Sequence, residues 1–156
     1  MINKMLVKAV VTGGLLAGFF QMPTEPPMKL GLWETTSSTK MQMPGMDMAA
    51  RTMKVRSCAT AESWRKAFGS ARQSKDCTPV NEKHTATTYS FDLSCSSSKA
   101  TGHVEMDFGD GTTGHGSMHM VMDAGGKTMT METTGESKYV GADCGSVAPG
   151  TPEIIQ

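Results

Sequence analysis

The sequence lacks an excess of charge of either sign, since its 156 residues include 15 basic and 15 acidic side chains. It also lacks any run of lysine or arginine, which argues against a nucleic-acid-binding surface. Aromatic residues make up only 6% of the chain, and after residue 20 there are three leucines, two isoleucines and six valines. An ordinary aliphatic core is therefore not available, and the chain carries 15 methionines in its place.

The first 20 residues differ in composition from the rest of the chain. Lys4 and Lys8 precede an apolar stretch over 9–20 that is too short to span a bilayer as a stable helix, a combination typical of a secretory signal peptide. Phe19 occupies the position at which a lipoprotein leader carries its cysteine, so lipidation is not expected. We predict cleavage between Ala17 and Met22 and a periplasmic or secreted protein without a stable membrane span; an uncleaved anchor is the alternative. The predicted organisation is a signal peptide over 1–20, a tether over 21–28, one disulfide-stapled β domain over 29–146 and a loose C-terminal tail over 147–156.

The chain contains four cysteines, Cys58, Cys77, Cys95 and Cys144. In an exported protein an even number of cysteines without a C-x-x-C pair predicts two disulfides rather than a zinc site. Spacing alone allows three connectivities. We favour Cys77–Cys95, because a hairpin that folds near residue 86 places these two opposite each other, together with Cys58–Cys144.

Apolar and polar residues alternate from Leu30 to Met43, which predicts a first strand, and Pro44-Gly45 predicts the turn that follows. Similar patterns predict strands over 50–57, 77–81, 87–95, 101–108, 112–123 and 128–139. One short helix over 61–68 is predicted to begin after Thr60 and to end at Gly69. The expected fold is all-β, an antiparallel meander of about seven strands curled into a small barrel or half-barrel, with an open curled sheet flanked by the helix as the alternative.

Two glycine-containing turns predict which side chains share a face of the sheet. A two-residue loop at 125–126 and a three-residue loop at 109–111 set the registers of three strands. The pairs that follow are Met120 with Met131, Met122 with Met129, Met106 with Gly114, Glu105 with His115 and His119 with Glu132. One face then carries Val104, Met106, Phe108, Met118, Met120, Met122, Met129 and Met131. The three histidines at 103, 115 and 119 lie on the opposite face beside acidic side chains, so we expect a solvated polar face there rather than a mixed His/Met metal site.

Methionine is expected mainly to fill the core, because the thioether side chain adapts to irregular gaps. Trp33 is expected to anchor that core. The residues proposed to contact an apolar ligand inside the sheet are Trp33, Met106, Met118, Met120, Met122, Met129 and Met131. As an alternative, Met41, Met43, Met46 and Met48 in the predicted loop are candidate ligands for a soft metal such as Cu(I) or Ag(I).

Three stretches also resemble a known family. Leu30-Gly31-Leu32-Trp33-Glu34 followed by Met41–Met46 resembles the opening of the bacterial domain-of-unknown-function 3617 family, and 128–132 resembles its Met/Thr-rich C-terminal strand. The resemblance covers nearly the whole mature chain and implies an exported β protein, but it supplies no catalytic residue.

No catalytic motif is present: Gly126-Lys127-Thr128 lacks the first glycine of a phosphate loop, and there is no G-x-S-x-G. We therefore expect a non-catalytic protein of the bacterial envelope without a cofactor. Its expected partner is a small apolar molecule or an envelope protein, with soft-metal binding as the alternative function.

Overall fold

The computed structural model describes residues 26–73, 76–123 and 125–155. The predicted signal peptide, its cleavage site and most of the predicted tether lie outside these residues. The strands are β1 (Gly31–Met43), β2 (Met46–Asp47), β3 (Arg51–Ala59), β4 (Cys77–His84), β5 (Thr88–Cys95), β6 (Thr101–Asp107), β7 (Thr113–Asp123), β8 (Thr128–Gly141) and β9 (Glu153–Ile155). The helix α1 spans Ala61–Gln73. Within the described residues no helix is long and apolar enough to cross a membrane.

The strands form one antiparallel sheet in the order β4-β5-β6-β7-β8-β1-β3-β9, with β2 paired to β1. Strands β4 to β8 follow one another as a meander, and β8 then pairs with the first strand of the chain. Among the described residues β4 and β9 remain the two edges, so the sheet is not closed. The predicted all-β meander with one helix is confirmed, in its open form.

The helix begins where the sequence predicts and ends later. The backbone N–H of Ser63 donates to Oγ1 of Thr60 at 3.0 Å, and the N–H of Thr60 donates to Oγ of Ser63 at 2.9 Å. This reciprocal cap satisfies backbone donors that the first turn leaves unpaired. The predicted end at Gly69 is wrong, because one glycine costs a helix only about 1 kcal/mol and α1 continues to Gln73 while packing against β4.

Both predicted disulfides are confirmed. Cys77 and Cys95 are register partners in β4 and β5 and are bonded to each other. Cys58 at the end of β3 is bonded to Cys144, which follows β8. All four cysteines of the chain are therefore oxidised.

Aromatic side chains, and not methionines, form the buried core of the described residues. The buried apolar residues are Trp33, Cys58, Tyr89, Phe91, Cys95, Ala100, Phe108 and Val147. Trp64 of α1 packs edge-on against Phe108, with ring centroids 5.4 Å apart, over the cluster that Phe108 forms with Tyr89 and Phe91. Contrary to expectation, methionine therefore does not supply the buried centre of the core, but Met28 and Met106 pack against it. The helix α1 packs on the β4 side of the sheet. The inner methionines of β7 and β8 are only half-buried.

The register of β7 with β8 is as predicted, and that of β6 with β7 differs by two residues. Met120 faces Met131 and His119 faces Glu132, but Met106 faces Gly116 instead of Gly114. The predicted pair of Glu105 with His115 is also wrong, since Asp107 faces His115.

The cause of that shift is a connection between β6 and β7 that is longer than the three residues expected. Phe108 leaves the ladder and turns into the core, with its N–H donating to the carbonyl of Thr87 at 2.8 Å. Gly111 closes the turn at a φ of 82°, donating to the carbonyl of Phe108 at 2.7 Å. A shift of two residues preserves which face each side chain occupies, so the predicted separation of methionines from histidines holds.

The two ends of the domain are more ordered than expected. Glu153–Ile155 pairs with β3 as β9, and Val147 is buried, so 147–155 is not the loose tail that the sequence suggested. The Cys58–Cys144 bond brings this segment alongside β3. At the other end, Met28 packs against the aromatic cluster and Lys29 donates its N–H to Gly111, so residue 28 belongs to the domain rather than to the tether.

Candidate functional site

A groove of about 300 Å³ crosses the face of the sheet that carries the aromatic core, called here the inner face. Three glycines, Gly114, Gly116 and Gly135, form part of its floor. A Cβ atom placed on Gly116 or on Gly135 would approach no other heavy atom closer than 3.8 Å. Neither glycine has a positive φ. The backbone conformation does not require glycine at these two positions. The groove exists because the strands carry no side chain there.

Large apolar side chains wall the groove. Trp33 closes one end at 1% exposure, and its indole N–H donates to the carbonyl of Lys29 at 2.8 Å. Tyr139 packs edge-on against Trp33 with ring centroids 5.7 Å apart. The hydrogen bond and the ring contact hold the indole in one orientation, so this end of the groove is preformed. The other apolar lining residues are Met28, Val104, Met106, Phe108 and Met118.

Hydroxyl groups provide the polar part of the lining. Oγ1 of Thr35 and Oγ of Ser137 lie 2.8 Å apart on neighbouring strands and share one hydrogen bond. That bond uses one of their two protons, so the pair retains one donor and acceptor lone pairs for a bound molecule. The arrangement suits a ligand with one hydroxyl or carbonyl on an otherwise apolar body.

The predicted ligand-contacting residues divide into two groups. Trp33, Met106 and Met118 line the groove, whereas Met120, Met122, Met129 and Met131 are absent from its lining and continue along β7 and β8 beyond it. Sequence reasoning missed the glycines as the cause of the groove. The available signal was the alternation of Gly114 and Gly116 with polar residues in a strand, where glycine is otherwise unfavourable.

The four methionines proposed as loop ligands lie mainly on strands. Pro44-Gly45 forms the predicted turn, and Met43 faces Met46 across it. Met41 faces Met131 of β8. Met41 and Met48 are each 36% exposed, and Met46 is 57% exposed.

The outer face is polar, and its most organised contact is centred on His103. Nδ1 of His103 lies 2.6 Å from Oδ1 of Asp92, and Nε2 lies 3.5 Å from Oε1 of Glu105. The hydrogen bond to Asp92, followed by that to Glu105, raises the pKa of His103. Hydrogen bonds from Asn81 and then from His103 lower the pKa of Asp92. Among the described residues no three His, Cys, Asp or Glu side chains are grouped as metal ligands.

Comparison with known proteins gives one family match and one structural likeness. The family model described as "Protein of unknown function (DUF3617)" matches residues 28–144. No curated protein matches the sequence. The structure of the S-type phycobiliprotein lyase CPES from Guillardia theta aligns with 72% of this chain and 88% of its own, at 8% identity and a TM-score of 0.34. A likeness of that size carries no inference about function.

Proposed function

The chain belongs to the DUF3617 family of proteins of unknown function, and on that premise we propose that it is an exported, non-catalytic binding protein. Its ligand is a small, largely apolar molecule held in the inner-face groove. The observation that carries the proposal is a groove of about 300 Å³ whose lining includes Gly116 and Gly135. At both glycines the neighbouring atoms leave room for a side chain. That volume lies at the lower end of the range of about 300–1,000 Å³ found for small-molecule sites.

The chemistry of the lining favours binding over catalysis. The inner-face side chains that line the groove are apolar or carry a hydroxyl. Glu105 and His115 also contribute to its lining, but strand alternation places their side chains on the outer face. The described groove therefore has no general acid or base directed into it, which an acid–base mechanism would need.

The cysteines support the proposed location. Two disulfides and no free thiol are typical of proteins that fold in an oxidising compartment. We accordingly assign the protein to the periplasm or the extracellular space.

A direct test is native mass spectrometry of the protein purified from its own cell envelope. One small apolar molecule per chain is the expected result, and its loss after delipidation should leave a site that the neutral fluorophore N-phenyl-1-naphthylamine fills with saturation. A protein partner found without any small molecule, together with no saturable uptake of the fluorophore, would contradict the proposal.

Substitution of one glycine tests the position of the site. Gly116→Leu places a side chain in the open floor of the groove, and we expect it to abolish saturable fluorophore binding. Thr134→Leu is the matched control, since it adds the same residue at an exposed position of β8 on the outer face. Circular dichroism should show both variants folded. Equal binding by folded Gly116→Leu and Thr134→Leu would show that the molecule binds elsewhere.

A further inference from the structure

Four of the five Met-x-Met pairs of the sequence are brought together by the fold; the fifth, Met118 with Met120, includes a residue that lines the groove. The four are Met41 with Met43, Met46 with Met48, Met120 with Met122, and Met129 with Met131. Because strand residues two apart share a face, the pairs on β1, β7 and β8 each present both thioethers on the same side of the strand. Met46 lies in β2, and Met48 directly follows that strand.

The strand order places the four pairs next to one another. Met120 of β7 faces Met131 of β8, and Met131 in turn faces Met41 of β1. Met122 faces Met129 across β7 and β8 in the same way.

The hairpin at Pro44-Gly45 extends this arrangement by one strand. Met43 faces Met46, and the N–H of Met48 donates to the carbonyl of Met41 at 3.2 Å. The eight residues therefore form two rows that run across neighbouring strands, here called the methionine grid. One row is Met120, Met131, Met41 and Met48. The other consists of two facing pairs, Met122 with Met129 and Met43 with Met46. In this row Met43 and Met129 lie one residue beyond the last paired position of β1 and β8, Gln42 with Thr130.

The methionines of the grid are not part of the fully buried core. No methionine belongs to the buried core of the described residues, and the members on β7 and β8 are only half-buried. Met46 is 57% exposed. Adjacent exposed apolar side chains on a folded domain mark a binding site more often than a structural need. The property that its members share beyond apolarity is the thioether sulfur.

We propose that the methionine grid binds a soft monovalent metal ion, Cu(I) or Ag(I). Facing residues on adjacent antiparallel strands have Cβ atoms about 4.5–5.5 Å apart, and each methionine has three rotatable bonds with which to direct its sulfur. Three sulfurs from β1, β7 and β8 are therefore able to converge on one ion. Met131 is central, because it faces Met120 on one side and Met41 on the other.

The surroundings of the grid favour a soft ion over a hard one. The adjacent row of the inner face carries Thr39 and Thr133, whose hydroxyls are hydrogen-bonded to each other at 3.0 Å. The histidines at 103, 115 and 119 belong to the opposite face of the sheet. Thioethers select Cu(I)-like ions, whereas magnesium, calcium and manganese prefer carboxylate, carbonyl and water oxygens.

Silver titration of the full, disulfide-bonded protein tests the site without a reductant. All four cysteines are bonded, so no thiol competes for Ag(I). We expect binding tighter than about micromolar against a competing chelator, and equal affinity at pH 5 and pH 7.5 because thioethers do not titrate. Binding that disappears at pH 5 would assign the ion to histidine and overturn the proposal.

Substitution and methyl NMR locate the ion. Met131→Leu conserves volume and removes the central sulfur. We expect it to weaken Ag(I) binding at least on the order of 10–100-fold, the loss that already follows mutation of a residue that only supports a metal ligand. Met53→Leu is the matched control, since Met53 is exposed on β3, opposite Ser37 and outside the grid. Ag(I) should shift methyl signals of grid methionines and leave that of Met53 in place.

Two results would overturn the proposal: affinity weaker than about micromolar, or an equal effect of Met131→Leu and Met53→Leu. The site is independent of the groove, so folded Gly116→Leu should bind Ag(I) like the wild type. Loss of fluorophore binding and loss of metal binding are thereby separable.

Discussion

Removal of the two disulfides, one at a time, should destabilise the domain unequally. The perturbations are the paired substitutions Cys58→Ala/Cys144→Ala and Cys77→Ala/Cys95→Ala, which leave no unpaired thiol. The first bond closes a sequence separation of 86 residues and the second a separation of 18. Loop-closure entropy then gives about 4.6 kcal/mol for the long bond and about 3.2 kcal/mol for the short one at 25 °C.

The positions of the two disulfides in the fold also predict that loss of Cys58–Cys144 is the more destabilising. Cys58–Cys144 holds the segment that contains Val147 and β9 against β3, and Cys58 is itself 5% exposed. The Cys77–Cys95 bond joins two strands that are already paired along most of their length. A small domain has a free energy of unfolding of about 5–15 kcal/mol, so loss of the longer bond should remove a large part of it.

Urea denaturation followed by circular dichroism measures the difference. We expect a lower midpoint for Cys58→Ala/Cys144→Ala than for Cys77→Ala/Cys95→Ala, and a larger m-value, because the unfolded chain is less constrained. A free energy of unfolding that falls equally in both variants, or further in Cys77→Ala/Cys95→Ala, would refute the loop-closure argument.

The other predictions concern one titrating contact and one glycine. His103 has a pKa raised above 6.5 by Asp92, so their contact stabilises the fold below the ordinary histidine pKa and is lost as the pH rises through the folded-state value. NMR titration of Asp92→Asn should return the His103 pKa towards 6.5, and an unchanged value would exclude Asp92 as the main cause. A Cβ on Gly31, at a φ of 134°, would lie 2.2 Å from the carbonyl oxygen of Gly141, so Gly31→Ala should cost more than about 2 kcal/mol. In Gly45→Ala the added Cβ meets no atom within 4 Å, so this substitution should cost about 1–2 kcal/mol for its left-handed backbone alone. Equal losses of stability in Gly31→Ala and Gly45→Ala, measured by thermal unfolding, would contradict the steric argument.

Local patterns were sufficient for much of the fold. The register of β7 with β8 follows from a short glycine loop at 125–126, and the Cys77–Cys95 bond follows from the hairpin centred near residue 86. The register of β6 with β7 was not predictable in the same way. It depends on Phe108 leaving the ladder for the aromatic cluster, which is a tertiary contact.

For the candidate sites too, local sequence patterns predicted one part of the arrangement, and tertiary contacts decided the other. Alternation alone predicted that methionines and histidines occupy opposite faces, and that separation holds in the structure. The groove required knowledge of which neighbours surround Gly116 and Gly135, since a glycine in a strand creates space only if no adjacent side chain fills it.

The sequence by itself determined the strand character, the turns, the assignment of side chains to faces and the Met-x-Met pairs, because these depend on residues close together in the chain. Only the tertiary structure decided that β1 lies beside β8. That pairing joins Met41 to Met131 across 90 residues of sequence. It is accompanied by the edge-on contact between Trp33 of β1 and Tyr139 of β8, a long-range contact that no local pattern contains.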